Sequence, residues 1–271
     1  MKTSKGGFIL QVRTTRLQAE EAKIIYQETA GLAIITINRP QAKNALTANM
    51  WNELARIAKL SVENPKNKVL LIRGTGENFT AGSDIKEFSS ISLEKAEEAF
   101  VHMENTISIV ENLPIPVIAV INGPAMGAGL ELALACDLRI GSEKARLGIP
   151  VGKLGITLNQ KFAKRLVDLV GPSKTKDFVF TGRIYKAEEA FEAGLLNYMT
   201  SEKDLTRFSI RLGKLVAGMS PDSLRAVKQS VQACINETPA TWGESTTFVS
   251  KNDFTEGITA FVEKRQPKFT R

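Results

Sequence analysis

The chain has 271 residues, 43% of them hydrophobic and 24% charged, enough for a full hydrophobic core as one large domain or two smaller ones. A net charge of +7 favours an anionic partner, but no Lys/Arg block with interleaved aromatics argues for nucleic acid, so a small polyanion such as a nucleotide-bearing cofactor fits better. No stretch approaches the roughly 20 apolar residues of a membrane span, and the apolar piece Phe8–Val12 is too short for a signal peptide, so a cytoplasmic protein with no membrane partner is expected.

Residues 1–20 read as a peripheral extension. Ile24–Thr29 and Leu32–Asn38 read as strands joined by a hairpin turn at Ala30-Gly31, and Pro40 ends the second. Thr47 caps a helix expected over Ala48–Ser61, with Met50, Leu54, Ile57 and Ala58 on one face. Val69–Arg73 reads as a buried strand, followed by the turn Gly74–Gly76 and the glycine loop Phe79–Asp84. A helix over Leu93–Asn112 is stopped by Pro114 and Pro116. The apolar run Pro116–Ile121 reads as a buried strand, broken by Asn122-Gly123-Pro124, and Asp137–Ile140 as another. From Asn159 onward the pattern turns helical: Phe162–Leu169, Ser173–Phe180, Ala187–Ala193, Leu205–Val216, Ser223–Cys234 and Phe254–Glu263. The first 150 residues alternate strand and helix, which predicts an α/β layered core with helical crossovers and a helical C-terminal region, not two independent domains.

Gly127-Ala128-Gly129 opens an apolar helix that carries one carboxylate, Glu131. A helix start built from small residues lets a ligand approach the backbone, and its first N–H groups lack intrahelical partners at the positive end of the dipole. Such a place suits an oxygen that gains negative charge, with Glu131 as a proton carrier beside it. The bland alternative is a tight turn whose glycines only permit close packing. The loop Phe79–Asp84 offers a second strand exit whose N–H groups would converge with that of Ala128; a plain turn is its alternative.

Other chemistries find little in the sequence. Ser83-Asp84-Ile85-Lys86 fits the S-x-x-K pattern of serine acyltransferases, but neither Ser-Asp-Asn nor Lys-Thr-Gly accompanies it. The single histidine, His102, lies mid-helix, away from any nucleophile signature, and reads as a surface or packing residue. One histidine and scattered carboxylates make a poor metal site, so no metal is expected. Cys136 and Cys234 form no C-x-x-C and read as reduced core thiols.

Several collinear segments together resemble one family. They are Asn38-Arg39-Pro40 with Asn44-Ala45-Leu46, Phe79–Lys86, Ile118–Leu138, Thr181-Gly182-Arg183 with Ala187–Ala190 and Gly194-Leu195, and the tail Phe254–Arg265. They span roughly residues 24–269 and resemble the crotonase superfamily, the enoyl-CoA hydratases and isomerases. The resemblance implies a spiral of ββα units over residues 21–200 with the acyl-CoA site, and a C-terminal helical region over 201–271 that trimerises, giving a homotrimer or a dimer of trimers. It implies an acyl-CoA thioester as substrate, with coenzyme A brought by the substrate and no resident cofactor. The backbone N–H groups of Ser83 and Ala128 would polarise the thioester carbonyl and hold an enolate, and Glu131 would be the acid/base residue. Lys43, Ala45, Leu46, Ala81, Ser83, Asp84, Ile85, Lys86, Gly127, Ala128, Val151, Phe261 and Lys264 match the family's substrate-contacting positions.

One position departs from the family pattern. Hydratases of this family carry a second glutamate in a later loop, and the matching residue here is Val151. A carboxylate pair lets one group activate water while the other handles the α-carbon proton, so its loss moves weight towards other lyase chemistry. Pro150-Val151 and Asn159 also look similar to a decarboxylase branch acting on malonyl-type thioesters. Hydration, decarboxylation of the methylmalonyl-CoA type, double-bond isomerisation and non-catalytic acyl-CoA binding stay open, as does a replacement of the glutamate by Lys153, Asn159 or Lys161.

Overall fold

A computed structural model describes residues 23–89, 91–235, 249–250 and 253–269; the expected extension over residues 1–20 lies outside the described residues. The described residues open with the hairpin β1 (Ile24–Thr29) and β2 (Leu32–Ile37), paired from Thr29 opposite Leu32 to Ile24 opposite Ile37. Its two turn residues, Ala30 (φ 47°) and Gly31 (φ 82°), both have positive φ, the twist a two-residue hairpin needs. Then come α1 (Ala48–Glu63), β3 (Val69–Gly74), the short α2 (Ile85–Phe88), α3 (Leu93–Glu111), β4 (Val117–Ile121), β5 (Pro124–Met126) and α4 (Ala128–Leu134). β6 (Leu138–Ser142), β7 (Arg146–Gly148), α5 (Gln160–Thr181), β8 (Ile184–Lys186), α6 (Ala187–Glu192) and β9 (Tyr198–Thr200) follow, and then α7 (Glu202–Ala217), α8 (Pro221–Ile235) and α9 (Phe254–Val262).

A six-stranded sheet runs in the order β1-β2-β3-β4-β6-β9, parallel from β2 to β9. A three-stranded sheet, β5-β7-β8, is built from the short strands that follow β4 and β6, together with β8 after α5. Because helices cover both faces, the central strands are apolar on both sides. In β2, Ala33, Ile35 and Ile37 join α1, α3 and α4 in the main core, while Leu32 and Ile34 join Leu205 and Leu212 of α7 on the other face. Gly213 of α7 allows that approach: a Cβ there would stand 3.2 Å from a Leu32 methyl. Each fully buried Leu or Ile side chain contributes about 1.5–3 kcal/mol.

The structure refines several expectations. The predicted helices Phe162–Leu169 and Ser173–Phe180 are both present within α5 (Gln160–Thr181), as two helices parted where Gly171 leaves the helical conformation (φ 77°) before Pro172. The two predicted core thiols part company: Cys136 is buried, with its Sγ 3.3 Å from the Leu132 carbonyl, whereas Cys234 is exposed on α8. Expecting Cys234 in the core is therefore corrected. α8 carries an apolar stripe, but that face has no buried residue in the single chain. His102 is exposed on α3, as expected.

Candidate active site

The site forms where three strand exits are stitched together by backbone hydrogen bonds. Ala81 N–H donates to Lys43 O (3.0 Å), Leu46 N–H to Gly82 O (2.8 Å) and Asp84 N–H to Leu46 O (2.9 Å), fastening residues 43–46 to the glycine loop. Met126 N–H donates to Thr80 O (3.0 Å) and Gly127 N–H to Gly148 O (2.9 Å), which adds the start of α4 and the end of β7. The backbones touch so closely that side chains are excluded between them. A Cβ at Gly82 (φ 88°) would lie 2.6 Å from Met126 O and 3.1 Å from Ala128 N, and one at Gly129 2.5 Å from Thr80 O. Glycine is required at both positions by contact, and at Gly82 by conformation as well.

This arrangement leaves two donors side by side. Ser83 N–H lies between the two ladder bonds to Leu46 and points away from them; Ala128 N–H is the first of α4. Among the described residues neither has an acceptor. The Ser83 hydroxyl faces the protein, accepting from the Trp51 indole N–H (3.2 Å) and lying 3.3 Å from Met103 Sδ. No basic group hydrogen-bonds it among the described residues, so the S-x-x-K spacing gains no partner from the fold.

Glu131 follows Ala128 by three residues and is 1% exposed. Its Oε1 accepts from Arg165 Nη1 at 2.9 Å. The same nitrogen donates to Glu104 Oε2 at 3.2 Å, while Nη2 serves Glu104 Oε1 and Glu111 Oε2, both at 2.8 Å. Burial, followed by the hydrogen bond and charge of Glu104, raises the Glu131 carboxyl above the usual carboxylate range, against the pull of Arg165 and Asn159. Glu104 goes the other way. Burial opposes its charge, but hydrogen bonds from Arg165 and Glu131 outweigh that and lower it to about 2.

The loop after β7 closes the site. Val151 lies in a 3-10 turn, Pro150–Lys153, and its half-buried side chain packs on the main core. Asn159 caps α5, accepting from Phe162 N–H (2.7 Å), and its Nδ2 donates to Glu104 Oε2 (3.1 Å). Lys161 Nζ donates to Ser108 Oγ (3.0 Å) and stands 3.9 Å from Glu104 Oε1; Lys153 is exposed. Two of the three residues considered as replacements for the missing glutamate thus meet Glu104.

The fold brings together Lys43, Ala45, Leu46, Ala81, Ser83, Asp84, Gly127 and Ala128. Lys43, Ile85 and Lys86 are exposed. The Asp84 carboxylate is taken up within the fold: it caps α2 through Lys86 N–H (3.2 Å) and pairs with Arg39. Among the described residues no hydrogen bond or ion pair joins Phe261 or Lys264 to this place. Their tail docks at the other end of β3, where Lys68 Nζ donates to Phe269 O (2.6 Å), and a six-residue strand of about 20 Å separates that contact from the glycine loop. A cavity of about 520 Å³ reaches Ser83, Leu46 and Trp51. A larger one, about 760 Å³ between α5 and α8, touches Arg165 and Glu111 but none of the predicted contact residues.

Sequence reasoning missed Glu104, Glu111 and Arg165. Their signal was a charged residue inside an apolar helical stripe: Glu104 between Met103 and Ile107, Arg165 between Phe162 and Leu166.

Comparison with known proteins agrees with this geometry. The sequence profile of the enoyl-CoA hydratase/isomerase family matches residues 27–271. YngF of Bacillus subtilis is 38% identical over 244 residues, 87% of this chain and 93% of that protein. The crotonyl-CoA hydratase of Syntrophomonas wolfei is 33% identical over 266 residues, 91% of this chain and 97% of its own. Among solved structures, an enoyl-CoA hydratase/carnithine racemase from Magnetospirillum magneticum superposes with a TM-score of 0.88 at 30% identity, covering 92% of this chain and 96% of that one. The chain belongs to the enoyl-CoA hydratase/isomerase family and has the crotonase fold.

Proposed function

We propose that this chain is an acyl-CoA lyase of hydratase/isomerase type that works through a thioester enolate. The thioester oxygen sits between the N–H groups of Ser83 and Ala128, which bind it more strongly as it becomes an enolate. In hydration, oxygen from water bonds to the β-carbon, electrons move to the thioester oxygen, and the enolate collapses as the α-carbon takes a proton. Glu131, in its acid form, supplies that proton: its O–H bond breaks and an α-carbon C–H bond forms, while the proton that water loses on bonding to the β-carbon returns to the Glu131 carboxylate, so the sum is the addition of one H2O. The observation that carries this reading is the pair of acceptor-free N–H groups on abutting backbones, one of them three residues before a buried carboxyl.

A second reading, decarboxylation of a malonyl-type thioester, draws on Val151. An apolar side chain stands at the position of the family's second glutamate, and loss of CO2 needs an enolate site and a proton donor but no base for water. The experiment is turnover of crotonyl-CoA against methylmalonyl-CoA by the purified protein. Hydration of the first supports the lead reading, and CO2 release from the second supports the alternative. Acyl-CoA binding with no conversion of either, or of a wider thioester panel, would leave only a binding protein.

Lys43 and Lys86, exposed beside the loop, are proposed contacts for the anionic coenzyme A moiety. The apolar side chains that α8 and α9 expose, Val227, Val231, Ile258 and Phe261 among them, support assembly into a trimer or a dimer of trimers.

A further inference from the structure

The buried network around Arg165 does more than anchor a helix. Three carboxylates, from Glu104 and Glu111 on α3 and Glu131 on α4, meet one guanidinium from α5. Asn159 and Ser108 add neutral hydrogen bonds to Glu104. Lys161 is the other cation near Glu104, 3.9 Å away and with a side chain 61% exposed, so solvent screens it. If all three carboxylates were ionised, one buried cation would face three anions. Uncompensated charge in such a place is costly enough that a group takes up a proton instead.

The geometry selects the pair that holds this proton. Glu131 Oε1 and Glu104 Oε2 lie 2.9 and 3.2 Å from the same atom, Arg165 Nη1. Glu111 is on the far side of the guanidinium, on Nε and Nη2, and its side chain is 24% exposed. Glu131, with a side chain 1% exposed against 12% for Glu104, is the member that water solvates least.

We propose that Glu104 is a positioning residue for the reaction: it shares one proton with Glu131 across Arg165 Nη1, and thereby keeps Glu131 in the acid form. Glu104 does not touch substrate. It accepts a hydrogen bond from the Glu131 O–H, so the pair titrates as a unit. Use of that proton in catalysis rests on the function proposed above; the sharing itself does not.

The test reads the proton first and the rate second. Wild-type protein at neutral pH should show the infrared carbonyl band of a buried, protonated carboxyl, lost in Glu131→Gln and at alkaline pH. In Glu104→Gln the anion that holds the proton is gone, Arg165 favours ionised Glu131, and the band should disappear at neutral pH. Glu104→Asp should keep it. In kinetics, Glu104→Gln should move the alkaline limb of the kcat profile down by at least about one pH unit, tenfold in the ionisation equilibrium, with KM little changed. A band that is absent from wild type, or that persists unchanged in Glu104→Gln, overturns the proposal; so does lower activity with an unmoved pH profile. Should Glu104→Gln fail to fold, the wild-type and Glu131→Gln spectra, with Glu104→Asp, still decide. A band that behaves as expected in a protein that converts no thioester would uphold the sharing and defeat only the proposed function.

Discussion

Arg165 shows how one side chain can gather buried carboxylates from two helices. Burial disfavours its charge, but the hydrogen bonds it donates to Glu111 and Glu104 outweigh that and hold the guanidinium ionised. Arg165→Met would leave carboxylates buried without their cation, and we expect it to destabilise the fold by about 3–5 kcal/mol, read from urea unfolding. The pH dependence has two opposite signs. Glu104 is lowered, so its contribution is complete above its unfolded value of 4.5 and is lost as pH falls towards about 2. Glu131 is raised, so the folded chain keeps a proton that the unfolded chain releases, and its contribution shrinks as pH rises above 4.5. Glu131→Gln, which has no proton to lose, should therefore show a flatter fall in stability from neutral to alkaline pH than wild type; an equal fall would contradict the assignment. At this scale the two abutting loops and the buried carboxylate were readable because local features announce them: two glycine loops after strands, and Glu131 early in an apolar helix. Glu104 and Arg165 were not, because what they do depends on three helices meeting.

At the scale of elements, the short pieces make the site. The long helices and the central strands were legible from period and punctuation, and Thr47 caps α1 as expected, accepting from Met50 N–H at 3.3 Å. The three-residue strands β5, β7, β8 and β9 were missed, because three residues carry no period and their pairing is non-local. Yet β5 and β7 bring Gly127 and Gly148 into contact and so hold the start of α4. Gly129→Ala tests this. Its Cβ would press on Thr80 O at 2.5 Å and push the two loops apart. We expect turnover to fall about 100-fold or more while stability drops by only about 1–3 kcal/mol. Activity that merely tracks the loss of folded protein would show that the contact between loops is not what matters.

At the scale of the molecule, the layered α/β design was visible in the alternation of strands and helices, and the helical C-terminal region is present. The way the C-terminal tail docks was not visible. In the single chain Phe261 is 82% exposed, and Phe269 accepts from Lys68 at the start of β3. Lys43 and Lys86 belong beside the site, and the net charge of +7 makes an anionic substrate reasonable. Lys43→Ala and Lys86→Ala should each raise KM a few-fold, as exposed ion pairs are worth about 0.2–1 kcal/mol, with kcat unchanged and the effect fading at high salt.

The account turns on Glu131 as the proton donor beside two backbone N–H groups. The most direct measurement is Glu131→Gln against wild type, with kcat on the preferred thioester and acyl-CoA affinity by calorimetry on the same preparations. We predict a fall in kcat of about 10²–10⁴-fold with affinity little changed, since the oxyanion donors are intact and only the proton is withdrawn. Turnover by Glu131→Gln at the wild-type rate would contradict the account.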